Sequence, residues 1–252
     1  MPLPSRTVSE PPRDTPVFLE TDVLVCGGGP AGTAAALAAA RQGVSVALLE
    51  RYGHMGGLAT GGLVIVLPCF LEGDVRVIGG IGHEIRERLL DTGEAAYRKS
   101  HRSDGSMFDP EALKRLSVEM CREQDVDVLH HTWQLGVRRT RRLIGEYVIT
   151  DDDVSGHDRR FPDAIGRGND FRKADLLYEI PFRAFVPRDI DGLLVAGRCL
   201  SCSHNALEPL REIHICRVMG QAVGTAAGIA VQSQVPARDI SIPTLQHALR
   251  TA

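Results

Sequence analysis

Aromatic residues are scarce in this sequence, at 5% of 252 residues with a single tryptophan. Proteins that bind single-stranded nucleic acid stack bases on exposed aromatic rings, so this scarcity argues against that class. Charge of one sign is lacking too, with 29 Lys and Arg against 32 Asp and Glu. A balanced charge gives no long-range field that would attract nucleic acid or an anionic membrane. We therefore expect neither as a partner.

Long hydrophobic runs are also missing. The longest apolar stretch, residues 58–71, is broken by Thr60, Gly61, Gly62 and Pro68. It is shorter than the roughly 20 residues that span a bilayer. The N-terminal residues contain no uninterrupted apolar core of the kind found in signal peptides. These features predict a cytoplasmic protein, and its six cysteines are then expected to be reduced.

Glycine, in contrast, is abundant, and its 26 residues are clustered. The first cluster, Gly27-Gly28-Gly29-Pro30-Ala31-Gly32, follows the apolar run 22–26, which is typical of a parallel strand buried on both faces. The alanine-rich segment 31–42 after it predicts a helix, which Gly43 is placed to end. Residues 45–50 predict a second strand, which completes a βαβ unit.

The first cluster satisfies the pattern G-x-G-x-x-G. Its glycines allow a tight turn, close approach of the backbone to a pyrophosphate, and close packing of helix on strand. The helix that follows directs its first N–H groups at the phosphates. Glu50, 23 positions after Gly27, ends the second strand, where an acid binds a ribose 2′-OH and disfavours NADP. A glycine-rich turn that binds nothing is the less favoured alternative.

Two further segments favour FAD over NAD, because the fingerprint alone recognises only their shared ADP half. The loop 51–62 contains two pairs of adjacent glycines, which let a second stretch of backbone approach a diphosphate closely. Near the C-terminus, residues 191–198 precede a predicted helix over 212–232. We expect this C-terminal unit to return to the cofactor.

Three glycines lie at i, i+4 and i+8 in that helix: Gly220, Gly224 and Gly228. They share one face. Each costs up to about 1 kcal/mol relative to alanine in mid-helix. We interpret the stripe as close packing against the N-terminal βαβ unit and the cofactor. Ordinary helix–helix contact in a core is the alternative, and both can hold together.

The stretches 22–62, 139–150 and 178–228 resemble the bacterial FAD-dependent oxidoreductase family related to the flavoprotein (A) subunit of heterodisulfide reductase. The resemblance implies an α/β fold: a Rossmann-like FAD/NAD(P)-binding domain with a parallel sheet, plus a reduced substrate or cap region. It implies FAD as the cofactor and catalytic roles for His204 and Arg211 on the substrate side of the flavin. The residues that it implies for binding FAD are Gly27, Gly28, Gly29, Pro30, Ala31, Gly32, Glu50, Arg51, Gly56, Gly57, Leu58, Gly197, Arg198, Gly220, Gln221 and Ala222.

The chain departs from this family in one respect. Family members are considerably longer, and after a strand matching 127–132 they continue through a β-meander and much of a substrate domain. Here Val137 leads directly into Arg138, so a large internal block is absent relative to the family. The organisation expected is a disordered arm (1–19), the N-terminal part of the FAD-binding domain (20–62), a helical cap segment returning to a strand of that domain (63–137), a remnant of the substrate domain (138–190), the C-terminal part of the FAD-binding domain (191–234) and a C-terminal tail (235–252).

The remaining sequence shows weaker patterns. Apolar residues recur at helical spacing over 81–92 and 109–124, and Asp109 is placed to cap the second helix, with Pro110 at its first position. Short apolar runs predict strands at 127–132, 146–150, 176–186 and 193–196.

Cys199 and Cys202 form a C-x-x-C pair, which is found in redox dithiols and in metal sites. No second pair follows at zinc or iron–sulfur spacing, so we predict no metal and leave a redox role open. His204 is a candidate proton donor or acceptor, or else a loop histidine with a structural hydrogen bond.

The predicted function is oxidation or reduction of a small-molecule substrate by hydride transfer at the flavin. The alternative is a degenerate or truncated flavoprotein-like module that binds FAD or ADP weakly without turnover. An NAD-dependent dehydrogenase would leave the C-terminal glycine-rich unit unexplained. A partner subunit and a homo-oligomer both stay open.

Overall fold

The structure is a computed structural model that describes residue 14 and residues 16–72, 75–99, 104–132, 142–155, 159–170 and 176–251. Most of the arm expected at 1–19 and the junction of Val137 with Arg138 lie outside these residues. The strands are β1 (Val23–Cys26), β2 (Val46–Leu49), β3 (Val66–Glu72), β4 (Val75–Arg76), β5 (Ala95–Lys99), β6 (Asp104–Phe108), β7 (Asp127–Leu129), β8 (Ala164–Asn169) and β9 (Leu177–Pro181). The α-helices are α1 (Pro30–Ala40), α2 (Gly80–Asp91), α3 (Pro110–Glu123), α4 (Leu207–Leu210), α5 (Ile213–Ser233) and α6 (Ile242–Thr251).

The predicted βαβ unit is present, and β1, β2 and β7 form a parallel sheet in the order β1-β2-β7. Val46, Ala47 and Leu48 of the central strand are all buried. The prediction that β1 is buried on both faces is wrong, because Leu24 is 55% exposed and Cys26 is exposed as well. The physical reason is that Leu24 and Cys26 share one face of β1, which the described residues leave uncovered, whereas Val23 and Val25 on the other face are partly buried.

The strand predicted at 193–196 is not formed, and these residues have no regular secondary structure. Val195 N donates a single backbone hydrogen bond to Phe185 O, at 3.0 Å. Within the described residues, no strand therefore pairs with the outer edge of β1.

A second, antiparallel sheet has the order β4-β3-β6-β5 and lies within residues 66–108, where the sequence predicted a helix but no strand. The bounds of α2 and α3, the two helices of the segment 63–137, agree closely with the predicted ranges 81–92 and 109–124. The predicted cap at Asp109 is confirmed, since its side chain accepts a hydrogen bond from Glu111 N at 2.7 Å. Neither β5 nor β6 has the apolar alternation that would have predicted a strand.

The remaining chain forms a hairpin and a terminal helix. β8 and β9 pair antiparallel, and a 3-10 turn over Phe182–Phe185 follows β9, where the sequence predicted a strand through residue 186. The strand predicted at 146–150 is reduced to isolated bridges such as Ile149 with Cys202. The segment expected to be a C-terminal tail contains α6, which buries Leu245 completely.

Candidate functional site

The glycine loop between β1 and α1 contains two glycines that the protein itself requires. Gly27 has φ of +107°, in the region that favours glycine. A methyl group on Gly32 would lie 1.7 Å from the carbonyl oxygen of Gly27. No side chain can be accommodated there, so Gly32 permits the close packing of helix on strand that the motif predicts.

Gly29 is different, because nothing in the protein requires a glycine there. Its φ is −71° and its ψ is −179°, which any residue adopts, and an added methyl group would meet no atom within 4 Å. Gly29 therefore leaves open space directly in front of α1. This is the arrangement expected where a ligand approaches the backbone closely.

The N-terminus of α1 borders that space. No side chain caps the helix, no acidic residue lies in its first turn, and Pro30 stands at its start. The first N–H groups of a helix have no intrahelical partner, and the helix dipole favours negative charge beside them. The first turn of α1 thus fits the diphosphate of a dinucleotide.

Glu50 holds the loop after β2 against the glycine loop. Its buried carboxylate accepts hydrogen bonds from Gly28 N at 2.7 Å and from Tyr52 N at 2.9 Å. These bonds fix the side chain at the end of β2, where the sequence predicted an acid. A contact of Glu50 with the adenosine ribose stays a prediction.

The second glycine loop lies directly on the first. Gly56 and Gly57 have φ of +96° and +55°, and Gly56 N donates to Gly28 O at 2.7 Å. A methyl group on Gly57 would lie 3.1 Å from Gly29 Cα. Two backbone segments therefore border the same open space, as the paired glycines predicted. The neighbouring Leu58 is 46% exposed.

The C-terminal unit packs against the first turn of α1. Gly197, with φ of +82°, is so close to α1 that an added methyl group would lie 3.1 Å from Ala31 Cβ. Methyl groups on Gly220 and Gly224 would lie 2.0 Å and 2.1 Å from the carbonyl oxygens of Ala31 and Ala35. The glycine stripe is thus explained by backbone-to-backbone packing of α5 on α1, the predicted βαβ contact.

Other predicted cofactor residues occupy the surroundings. Gln221 Oε1 accepts a hydrogen bond from Ile81 N at 2.9 Å and so anchors the start of α2, while Ala222 is fully buried. Arg198 is exposed, and the Arg51 guanidinium lies 4.5 Å from the centre of the Tyr52 ring. Direct contacts of these four residues with FAD stay predictions.

Sequence reasoning missed Gly80, at the start of α2. It has φ of +53°, and an added methyl group would lie 2.2 Å from Gln221 Oε1. Gly80 therefore admits the Gln221 side chain to the N-terminus of α2. The available signal was a third glycine cluster, at residues 79–82, that opens a predicted helix.

The predicted catalytic residues lie on an exposed segment before α5. His204 is exposed, and Arg211 forms an ion pair with Glu208 at 2.8 Å. A hydrogen bond from Ser203 lowers the pKa of the neighbouring Asp151 carboxyl, and bonds from Asn205 and the Ala206 backbone add to the shift. A cleft opens beside this segment, and its lining contains no residue of either glycine loop: Asp151, Val154, Ser155, Asp170, Asn205, Glu208 and Pro209. Catalytic roles for His204 and Arg211 stay predictions.

The cysteine pair has the properties of buried thiols. Both Cys199 and Cys202 are free, and burial raises the pKa of each above its ordinary value. The reactive species is the thiolate, so this environment disfavours dithiol chemistry at neutral pH. In the described part of the chain, no cluster of three His, Cys, Asp or Glu residues could hold a metal ion.

The strand, glycine loop and helix, with the acid at the end of β2, define a dinucleotide-binding protein of Rossmann-like fold. Residues 22–135 and 132–249 match the family described as FAD dependent oxidoreductase. The chain belongs to this family and is an FAD-binding flavoprotein. No helix among the described residues is long and apolar enough to cross a membrane.

Three solved structures illustrate what this chain is similar to. THI4 from Thermovibrio ammonificans is 24% identical with a TM-score of 0.31, and the match covers 44% of this chain and 38% of that one. A geranylgeranyl bacteriochlorophyll reductase-like protein from Thermoplasma acidophilum is 20% identical with a TM-score of 0.32, over 50% and 34% of the chains. PqsL from P. aeruginosa is 12% identical with a TM-score of 0.44, over 92% and 91%. The chain thus spans less than two fifths of the length of the first two.

Proposed function

We propose that this chain is an oxidoreductase that oxidises or reduces a small molecule by hydride transfer at its FAD. We also propose that, within its family, it is related to the flavoprotein subunit of heterodisulfide reductase. The observation that supports an FAD enzyme is the convergence of glycine-rich segments on the start of α1. Gly57 lies against Gly29, while Gly197 and Gly220 lie against Ala31. These segments come from both ends of the chain.

The chain's own residues position the cofactor in this proposal. Gly29 gives the diphosphate access to the first turn of α1, whose dipole stabilises its charge. Glu50 ties the two glycine loops together through Gly28 and Tyr52. Bound FAD supplies the redox chemistry, while the protein binds and orients it.

A second candidate is a flavoprotein-like module that binds FAD or ADP weakly without turnover. The exposed edge strand β1 favours it, since Leu24 and Cys26 face solvent and 193–196 forms no strand beside them. The family match also divides into two segments that meet at 132–135, close to where the sequence lacks a block. A shortened chain would cover less of the flavin ring with protein residues.

An absorption spectrum of the purified chain separates the two candidates. Flavin bands at close to one FAD per chain are expected for the enzyme. A colourless protein that takes up added FAD only weakly would contradict the enzyme and favour the module. Turnover with candidate substrates and an artificial electron acceptor then tests catalysis directly.

A further inference from the structure

Two polar side chains on α5 are buried without partners. His214 is 1% exposed and Arg217 is 3% exposed. Across the part of the chain that the structure describes, neither ring nitrogen of His214 has a hydrogen-bond partner, and neither does Arg217 Nη1. Buried polar groups are nearly always hydrogen-bonded, and an uncompensated buried cation strongly destabilises a fold. Such a pair therefore requires a partner that the described residues do not supply.

The position of the pair along α5 places it near the cofactor site. Gly220 packs on Ala31 and Gly224 on Ala35, so α1 and α5 run in the same direction. α5 begins seven residues before Gly220 and, at about 1.5 Å per residue, extends roughly 10 Å beyond the start of this contact. Arg217 lies one turn before Gly220. It is therefore on the side from which a dinucleotide approaches α1.

The N-terminus of a third helix lies beside the pair. Gln221, one turn after Arg217, binds Ile81 N of α2, and a methyl group on Gly82 would lie 3.7 Å from Arg217 Cβ. No acidic residue lies in the first turn of α2 or α5, although the Gln221 side chain binds the start of α2 and Glu212 stands at the N-cap of α5 without a capping hydrogen bond. The first turn of α2 and the Arg217 side chain thus lie in the same region.

No described acid of α2 compensates this charge. Glu84 binds Arg41 and Arg88, and Glu87 lies 3.5 Å from His83. Burial lowers the pKa of Arg217 to about 10 and, with Arg217 nearby, lowers that of His214 to about 3. At neutral pH the pair therefore presents one positive charge and one neutral imidazole.

We propose that Arg217 and His214 bind the carboxylate of a small organic acid, which makes the substrate of this oxidoreductase a monocarboxylic acid. A guanidinium matches the two oxygens of a carboxylate in a planar fork, and a neutral imidazole donates one further hydrogen bond. The single charge of the pair fits a monoanion. The assignment of the bound acid as a substrate rests on the function proposed above, whereas the anion site itself does not depend on that function.

Acetate is the probe, with neutral acetamide of the same shape as its control, at equal ionic strength. Isothermal titration calorimetry on the FAD-free and FAD-saturated full chain measures the affinity. Arg217→Met and His214→Phe should weaken acetate binding, the first by roughly tenfold to a hundredfold, because a charge-assisted hydrogen bond is lost. Arg217→Lys keeps the positive charge but lacks the planar guanidinium, so its affinity for acetate should fall between those of Arg217→Met and the wild type. The matched control is Arg115→Met, which removes an exposed arginine of α3 that is ion-paired with Glu94.

A thermal melt without ligand gives a second measurement. Arg217→Met should raise the Tm of the FAD-free chain, because it removes an uncompensated buried charge. A lowered Tm, or acetate affinity equal in wild type and Arg217→Met, would overturn the site. Loss of acetate binding when FAD saturates the chain would overturn the organic-acid substrate, since the anion bound there would be the cofactor's. Arg217-dependent acetate binding in a chain that never binds FAD would refute the proposed function and support the anion site.

Discussion

Replacing Gly29 by valine separates the needs of the fold from those of the cofactor. Gly29 has an extended backbone conformation and no neighbour within 4 Å of an added Cβ, so we expect the FAD-free protein to accept a side chain there. Replacing glycine lowers the entropy of the unfolded chain, which is worth about 0.4–1 kcal/mol, but Gly29 is the N-cap of α1, where valine is less favourable than glycine by a similar amount. The Tm of the FAD-free chain should therefore stay within about 4 °C of the wild type.

FAD binding should be lost in the same variant, because the side chain occupies the space in front of α1. Two charge-assisted hydrogen bonds to a phosphate are worth about 1.5–3 kcal/mol each, and the helix dipole adds about 0.3–1 kcal/mol. Their loss corresponds to a Kd for FAD that is weaker by roughly 10²–10⁵-fold. Fluorescence titration of the FAD-free chain measures this change.

Two other glycines provide controls with opposite behaviour. Gly43→Ala should cost about 1 kcal/mol of stability, because its φ is +78°, and should leave FAD affinity unchanged. Gly32→Ala should prevent stable folding, because its methyl group would lie 1.7 Å from Gly27 O. Full FAD affinity in Gly29→Val would refute the cofactor site, and a loss of stability as large as that of Gly32→Ala would refute the geometry of the loop.

Three further predictions follow from burial and exposure. Alkylation of Cys199 and Cys202 by iodoacetamide should be slow at neutral pH and accelerate only above the ordinary thiol pKa, because burial raises both pKa values. Fast alkylation at pH 7 would contradict the buried environment. The double variant Cys199→Ala/Cys202→Ser should keep its flavin. Leu48→Ala should cost about 2–5 kcal/mol in denaturant unfolding and Leu24→Ala under about 1 kcal/mol, because only Leu48 is fully buried; equal costs would mean that β1 is covered. Iodide should quench the fluorescence of bound flavin, because a shortened chain covers less of the flavin ring. Submicromolar FAD binding together with a flavin that iodide does not quench would instead show a closed pocket.

The sequence predicted best the features that local chemistry determines. The βαβ unit follows from an apolar run, a glycine turn and an alanine-rich helix within about thirty residues. Asp109 and Pro110 determine a helix start by their own hydrogen bonding and geometry. The stripe of Gly220 and Gly224 predicted a close helix contact, because glycine in mid-helix is costly without one.

Features that depend on distant parts of the chain were predicted poorly. β1 is apolar enough to be buried on both faces, yet which strands flank it depends on residues far away in the sequence. β5 and β6 are held by their pairing rather than by their composition. Arg217 was missed because a charged residue in a helix is usually solvated, although it recurs with His214 and Gln221 on one face of a largely apolar helix.

The contact of α5 with α1 has a consequence for the order in which this protein folds. Ala31 and Gly220 are about 190 residues apart in the sequence, so a ribosome has made most of the chain before the contact can form. Contacts of such long sequence separation slow folding, because the intervening chain must first be closed into a loop. On the ribosome, α1 therefore has no partner helix until the roughly 190 intervening residues have been made. A shorter intervening chain makes that closure slightly easier, so the core of this protein is well suited to lose residues from its middle.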